Sequence, residues 1–280
     1  MSRPDARPDV RPEIRSGAQA ESRSERLTAL RAALGEGTGT QTGSATRRPV
    51  LTFGVEAVDA ALPGGGLAAG SHEVCAGGAD LPHEAAMVQL AAYLLGRGRG
   101  PVIWALPRLT LFPPALAEAG LSPSRVIYAE GGREADVLAV AEEALRHGGL
   151  AGVVCEADRL SLTASRRLQL AGEAGGVPAL VLRRWRRGAA PAAGTACATR
   201  WTVTPRPSAC PSGLPRAAWS LALTRCRGGR PAAWSVFLEA TREGREGRGA
   251  DAPLRLRLAG ELAGGQADAR GLAAGGQRAA

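Results

Sequence analysis

Short apolar runs alternate with amphipathic stretches through the middle of the chain. Runs that predict strands lie at residues 71–76, 101–106, 125–129, 151–155 and 178–183. Stretches with helical periodicity lie between them, at residues 83–96, 114–119, 133–147 and 161–175. Strands that are apolar throughout and separated by helices are typical of a parallel sheet covered on both faces. The pattern therefore predicts an α/β fold with a mostly parallel sheet flanked by helices.

The pattern changes after residue 199. Residues 200–203, 218–227 and 232–240 are short runs rich in aromatic and β-branched residues, separated by Pro and Gly. The turn residues from Gly228 to Pro231 join the last two runs, which predicts a hairpin. We therefore expect antiparallel strands at one edge of the sheet, near the C-terminal end.

The two ends of the chain have a different composition from the middle. Residues 1–23 carry a repeat of the form Arg-Pro-acid-x, in which Pro removes helix hydrogen bonds, and they predict disorder. Residues 24–35 predict an amphipathic helix with Leu27, Leu30 and Leu34 on one face. The predicted organisation continues with a linker at 36–49, a core domain at 50–240 and a disordered or weakly structured tail at 241–280, in which the alternating Leu254, Leu256 and Leu258 are a candidate edge strand.

All 35 basic residues are Arg, and the chain contains neither Lys nor Asn. Lysine chemistry and N-glycosylation are therefore excluded. Five Cys without a C-x-x-C pair and only three His fit neither a zinc cage nor a disulfide framework, so we predict buried thiols and no metal. No apolar run approaches the length of a membrane span and the N-terminus lacks a signal-peptide core, so a cytoplasmic location is expected.

The net charge of +9 has an uneven distribution. Residues 183–240 hold ten Arg against the single acid Glu239, whereas residues 51–182 hold nine Arg against fourteen acids. The basic stretch also contains four of the five Trp residues. An interaction surface is therefore expected in the basic stretch and not over the whole molecule.

A Gly-rich loop follows the first predicted core strand. A working phosphate loop needs Gly residues, a Lys for the phosphates and a Ser or Thr for Mg²⁺. Here Gly77 and Gly78 are present, but no Lys and no Ser or Thr follows them, and Pro82 removes an amide donor near the helix start. The nearby Asp80 and Glu84 would also repel phosphate. We therefore predict that this loop is a tight turn that holds no cofactor. We also predict that the chain has no catalytic residues.

Ordered motifs over residues 50–240 resemble the RecA family and, within it, the ImuA family. Gly54, Val58-Asp59, Gly65-Gly66-Leu67 and Gly70 are similar to the segment that precedes the RecA phosphate loop. Residues 160–170, 200–208 and 219–234 look like ImuA. The resemblance implies a RecA-like core. The Lys-Thr pair with which the RecA family binds ATP corresponds to Pro82-His83 in this chain. The family's second acidic site falls on Cys155-Glu156, and we predict that Glu156 is a polar strand end.

The resemblance also implies partners. ImuA belongs to a damage-inducible cassette, so the implied partners are an ImuB-like protein and the α subunit of error-prone DNA polymerase III, with RecA and single-stranded DNA as further candidates. The residues proposed to contact a partner or DNA are Arg183, Arg184, Trp185, Arg186, Arg187, Arg225, Arg227 and Arg230. A protein partner is favoured over nucleic acid, and Trp201, Trp219 and Trp234 are expected to pack in or near the core.

The leading hypothesis is a non-catalytic RecA-like adaptor in SOS-induced translesion DNA synthesis and damage-induced mutagenesis. The predicted helix at 24–35, with Leu27, Leu30 and Leu34, is a candidate for docking on a partner. Two alternatives stay open at this point. One is a divergent RecA-type ATPase, and the other is a single-strand DNA-binding modulator of recombinase filaments.

Overall fold

The computed structural model describes residues 51–184, 194–207, 217–240 and 254–259. The predicted helix with Leu27, Leu30 and Leu34 lies outside these residues, as do Trp185, Arg186 and Arg187. Within the described parts of the chain, no helix is long and apolar enough to cross a membrane.

Helices and strands alternate through most of the described chain, close to the predicted bounds. The helices are α1 (Glu56–Asp59), α2 (Leu81–Gly96), α3 (Pro113–Glu118), α4 (Glu134–His147) and α5 (Leu162–Gly175), with a 3₁₀ turn at Pro123–Arg125. The strands are β1 (Gly70–Ala76), β2 (Val102–Leu106), β3 (Val126–Glu130), β4 (Gly152–Glu156), β5 (Pro178–Arg183), β6 (Thr199–Arg206), β7 (Ala218–Cys226), β8 (Ala232–Ala240) and β9 (Leu254–Leu258).

The strands form one sheet in the order β3-β2-β4-β5-β1-β6-β7-β8-β9. Strands β1 to β6 run parallel to one another. Strand β6 then pairs antiparallel with β7, and β7, β8 and β9 continue the antiparallel pairing to the edge. The predicted α/β fold is confirmed: the mostly parallel sheet is flanked by helices, and antiparallel strands, including the predicted β7–β8 hairpin, form one edge.

Each face of the sheet has its own hydrophobic core. On one face, α2 and α3 pack with Trp104, Leu180 and Trp201, together with apolar residues of β7, β8 and β9. On the other face, α4 and α5 pack on Ile103, Val153, Val181 and their neighbours. Alternate residues of the parallel strands supply the two cores, which is why these strands are apolar throughout.

Trp201, Trp219 and Trp234 contribute mainly to packing, as predicted. Trp201 and Trp219 are buried. The ring of Trp201 lies 4.7 Å from that of Phe53 and 6.1 Å from that of the half-buried Trp234. Aromatic pairs at these separations stabilise a core beyond the area they bury.

Tyr93 connects three distant parts of the fold. Its hydroxyl donates a hydrogen bond to the Phe53 carbonyl at 2.8 Å and accepts one from the Leu256 amide at 3.1 Å. The alternating Leu residues of β9 therefore reach the core beside α2, although they lie far from α2 in sequence. Arg255 and Arg257, between those leucines, are exposed.

A buried histidine joins β1 to β6. The Nε2 atom of His72 lies 2.8 Å from the Ala68 carbonyl, which can only accept, so Nε2 carries the proton. Trp201 donates to the Thr199 hydroxyl, and that hydroxyl lies 2.9 Å from His72 Nδ1 and can donate to it. His72 is therefore held neutral, and burial lowers its pKa to about 4.

The structure explains why Gly54 and Asp59 occur in the segment before β1. The Asp59 carboxylate accepts hydrogen bonds from the amides of Phe53 at 2.7 Å and Gly54 at 2.9 Å. Gly54 has φ of 71°, a conformation that favours glycine. These residues fix the segment that leads into the first core strand.

Candidate functional site

The candidate site lies at the carboxyl edge, the edge of the sheet where the six parallel strands end. Ligand sites of open α/β sheets gather at this edge. Its loops are residues 77–80 after β1, 107–112 after β2, 131–133 after β3, 157–161 after β4 and Arg184 after β5. The loop after β1 is the one in which RecA-family ATPases would hold phosphate.

Neighbouring residues account for both glycines of this loop. The Gly77 amide donates to the Val203 carbonyl at 2.8 Å, and a Cβ at Gly77 would lie 2.1 Å from Thr204 Oγ1. A Cβ at Gly78 would lie 2.7 Å from the imidazole of His83. Strand β6 leaves no room for a Cβ at Gly77, and the His83 ring packs against Gly78, so contacts within the chain account for both glycines.

The start of α2 is already capped by the chain itself. Asp80 accepts a hydrogen bond from the His83 amide at 3.1 Å, and its carboxylate also contacts His83 Nδ1. The hydrogen bond from the His83 side chain lowers the pKa of Asp80. Pro82 stands in the first turn, where helices tolerate it. The positive end of the α2 dipole therefore faces a carboxylate of the protein.

Arg184 occupies the centre of the carboxyl edge. Its Nη2 lies 2.8 Å from Glu156 Oε2, and its Nε lies 3.8 Å from Glu84 Oε2. The second oxygen of Glu156 accepts a hydrogen bond from Trp104 Nε1 at 3.0 Å. We call Arg184, Glu84, Glu156 and Trp104 the Arg184 cluster.

Both oxygens of Glu156 are thus engaged by side chains of the chain. Burial raises the pKa of Glu156, against the opposing effects of the Arg184 charge and the Trp104 hydrogen bond. Glu156 ends β4 as the sequence predicted, and its two partners explain why a carboxylate is tolerated there. In this geometry a guanidinium meets the carboxylate that would otherwise be available to a cation.

A second charged cluster lies on the opposite face of the same strands. Glu73 is fully buried in β1, and its carboxylate contacts Arg200 Nε from the neighbouring β6. Arg183, the last residue of β5, lies with Nη1 at 3.9 Å from Glu73 Oε1. We call these three residues the Glu73 cluster.

Sequence reasoning did not identify the Glu73 cluster. Glu73 and Arg200 are 127 residues apart in sequence, and only the parallel pairing of β1 with β6 brings them together. The only available signal was an acid inside an apolar strand, which requires a buried counter-charge.

The structure places the predicted contact arginines as follows. Arg183 and Arg184 lie at the carboxyl edge and belong to the two charged clusters. Arg225 donates to the Thr195 carbonyl, and Arg227 Nη2 donates to the Ala196 carbonyl at 2.8 Å, so both hold the segment that leads into β6. Arg230 is exposed in the turn between β7 and β8.

The cysteines near these clusters are unsuited to nucleophilic chemistry. Burial, with the neighbouring charge of Glu73, raises the pKa of Cys75 to about 11. Burial also raises the pKa of Cys155 and Cys197. These thiols stay protonated at neutral pH and act as small buried groups. Among the described residues, no three His, Cys, Asp or Glu side chains are grouped so that they could hold a metal ion.

The fold and the site together define an α/β domain with a mostly parallel sheet, in which the Gly-rich loop after β1 is packed by side chains of the protein itself. Comparison with curated proteins then gives the family. The chain is 40% identical over 203 residues to Protein ImuA from two strains of Caulobacter vibrioides, NA1000 / CB15N and ATCC 19089 / CIP 103742 / CB 15. The match covers 68% of this chain and 83% of each relative. The chain belongs to the ImuA family.

Solved structures give more distant similarities. The RadB recombinase is 17% identical and matches 66% of this chain and 94% of its own, with a TM-score of 0.48. SulA from Pseudomonas aeruginosa is 27% identical and matches 41% of this chain and 98% of its own, with a TM-score of 0.36. No protein-family model matches the chain.

Proposed function

We propose that this ImuA-family protein is a non-catalytic RecA-like adaptor in SOS-induced translesion DNA synthesis and damage-induced mutagenesis. Its action would consist of binding protein partners, without making or breaking covalent bonds. The proposed partners are an ImuB-like protein and, directly or through it, the α subunit of error-prone DNA polymerase III. RecA is a further candidate.

The observation that carries this proposal is the occupation of the phosphate-loop region by the protein's own groups. A nucleotide triphosphate needs inward-facing amides and a cation at the β- and γ-phosphates. Here His83 packs on Gly78, Asp80 caps α2, and Arg184 is bound between Glu84 and Glu156. A phosphate entering this region would meet three carboxylates, no Lys, and the guanidinium of Arg184, which already pairs with Glu84 and Glu156.

Nucleotide binding and hydrolysis test the non-catalytic part of the proposal. We expect the purified full-length protein to show no ATP binding by calorimetry at micromolar concentrations and no phosphate release. The hydrolysis assay is repeated with the ImuB-like protein and single-stranded DNA, because a partner could supply a missing arginine. ATP hydrolysis that depends on this chain would overturn the proposal in favour of a divergent ATPase.

Complex formation tests the adaptor part. We expect the full-length protein to co-purify with the ImuB-like protein at physiological salt concentration. The candidate docking helix is tested by changing Leu27, Leu30 and Leu34 together to Asp, which should weaken the complex if that helix supplies contacts. Absence of a complex between the wild-type proteins would contradict the adaptor function itself.

A further inference from the structure

The segment that leads into β6 has no regular secondary structure, although two of its residues are buried. Residues 194–198, which we call the strap, form neither helix nor strand. Thr195 and Cys197 are only 2% and 1% exposed. Cys197 belongs to the hydrophobic core on the face of the sheet that carries α4 and α5. The strap is therefore an irregular segment that packs closely on that face.

Side chains from other elements hold the backbone of the strap. Arg225 donates to the Thr195 carbonyl. The Ala196 carbonyl accepts from Arg227 Nη2 at 2.8 Å, and the Ala196 amide donates to Ser165 Oγ at 2.9 Å. Among the described residues, hydrogen bonds between the strap's backbone and that of neighbouring strands begin only at its last residue. Contacts of this kind can be lost in a local opening that leaves the hydrogen bonds of the sheet intact.

The strap closes against the Glu73 cluster, whose hydrogen bonding is incomplete. Glu73 Oε1 and Arg183 Nε are buried, and neither has a hydrogen-bond partner in the described part of the chain. Arg183 Nη1 lies 3.9 Å from Glu73 Oε1, which is too far for a hydrogen bond. The strap reaches the cluster through the Thr195 hydroxyl, which accepts from Arg200 Nη2 at 3.4 Å. Buried polar atoms without partners raise the free energy of the closed arrangement, because water would solvate them in an open one.

We propose that the strap is a locally opening element, which detaches from the sheet while the parallel core stays folded. Opening hydrates the Glu73 cluster, exposes Cys197 and releases Arg225 and Arg227 from the strap's carbonyls. It costs less free energy than global unfolding, because the strap consists of small residues and covers little apolar surface. The strap therefore controls whether two arginines of the basic stretch are available to an acidic group. This inference does not depend on the proposed adaptor function.

Site-resolved thiol labelling of the full-length protein tests the proposal. The protein is treated with iodoacetamide at about pH 8, where an exposed thiol reacts, and mass spectrometry measures the labelling rate of each cysteine. Cys197 should be labelled at least about 100-fold faster than Cys155, which is fully buried in β4 and reacts on global unfolding. Low urea concentrations should accelerate the labelling of Cys155 far more than that of Cys197, because a local opening exposes little additional surface.

Arg227→Ala supplies a second measurement, because it removes the guanidinium that binds the Ala196 carbonyl. The variant should label Cys197 about tenfold faster than wild type does. Arg230→Ala is the matched control, since Arg230 is exposed in the turn that follows β7 and the strap's carbonyls bind other arginines. The control should label Cys197 within about twofold of the wild-type rate, and thermal unfolding should show that both variants are folded.

A core substitution separates local opening from global unfolding. Ile103→Val weakens the packing of β2, which stays folded when the strap alone opens. It should therefore accelerate the labelling of Cys155 severalfold and change that of Cys197 by less than about twofold. Equal acceleration of both cysteines would show that Cys197 reacts only on global unfolding, and the proposal would be overturned. The same conclusion follows if Arg227→Ala labels Cys197 no faster than Arg230→Ala does.

Discussion

Two buried carboxylates of the sheet, Glu156 and Glu73, are matched by guanidinium groups from neighbouring parts of the sheet. Glu156 pairs with Arg184, and Glu73 pairs with Arg200 and lies near Arg183. Removing one member of such a pair leaves a desolvated charge, and this costs more than the pair itself contributes to stability. The difference in the free energy of unfolding between a single and a double variant therefore reports whether the two charges of a pair are buried together.

Arg184→Ala should lower the free energy of unfolding by about 1–3 kcal/mol, because Glu156 stays buried without its counter-charge. Adding Glu156→Gln should recover most of this loss, since the amide oxygen can still accept from Trp104. Urea denaturation of the single and double variants measures both effects. Equal stability of the two variants would show that Arg184 and Glu156 are not energetically coupled.

His72 should make stability depend on pH between about 4 and 6.5. Its pKa is lowered from 6.5 to about 4 by burial, so the unfolded chain binds a proton in this range and the folded chain does not. The contribution of His72 to the free energy of unfolding is fully present above pH 6.5. It is lost as the pH falls towards 4, and the loss is about 3 kcal/mol at most. His72→Gln should remove this component from the pH profile of chemical denaturation. An unchanged slope in the variant would contradict the assignment.

The helices and strands were largely predictable from sequence, and the contacts between distant elements were not. Apolar runs set the bounds of β1 to β5 to within one residue, because strands buried on both faces leave few polar positions, whereas β6 extends three residues beyond its predicted end. Strand order, in contrast, depends on how the helical crossovers pack, so no local signal identified Arg200 as the partner of Glu73 or Glu84 as a partner of Arg184. The Gly77-Gly78 turn was identified from the sequence. The packing of His83 and Thr204 against its two glycines depends on the folded structure and could not be predicted.

Tyr93 provides a test of how β9 is attached to α2. Tyr93→Phe removes the acceptor of the buried Leu256 amide, so we expect a loss of about 1–2 kcal/mol in the free energy of unfolding. Amide exchange in β9 should also become faster. Tyr128→Phe is the matched control, because within the described chain the buried Tyr128 hydroxyl has no hydrogen-bond partner. A control that loses as much stability as Tyr93→Phe would contradict the role of the Leu256 contact.

The molecule as a whole is basic, but many of its arginines are engaged internally. Arg183, Arg184, Arg225 and Arg227 bind carboxylates or carbonyls of the chain itself. These guanidinium groups are therefore held against the chain, and fewer of their N–H donors are available to a polyanion. This limits the alternative in which the protein modulates recombinase filaments through single-stranded DNA.

Binding to a single-stranded oligonucleotide should accordingly be weak, with a dissociation constant of about 10 µM or weaker at physiological salt. Arg230→Ala, in an exposed turn, should change it by less than about twofold. Fluorescence anisotropy at two salt concentrations provides the measurement. Submicromolar binding that is lost in the folded Arg183→Ala, Arg184→Ala double variant would favour the DNA-binding alternative.

The Arg184 cluster has a consequence for how the core responds to the state of the cell. A cation tethered by the backbone has a fixed effective concentration, so its pairing with Glu84 and Glu156 does not depend on any dissolved ligand. The arrangement of this edge would therefore remain the same whether ATP, ADP or magnesium were abundant or depleted.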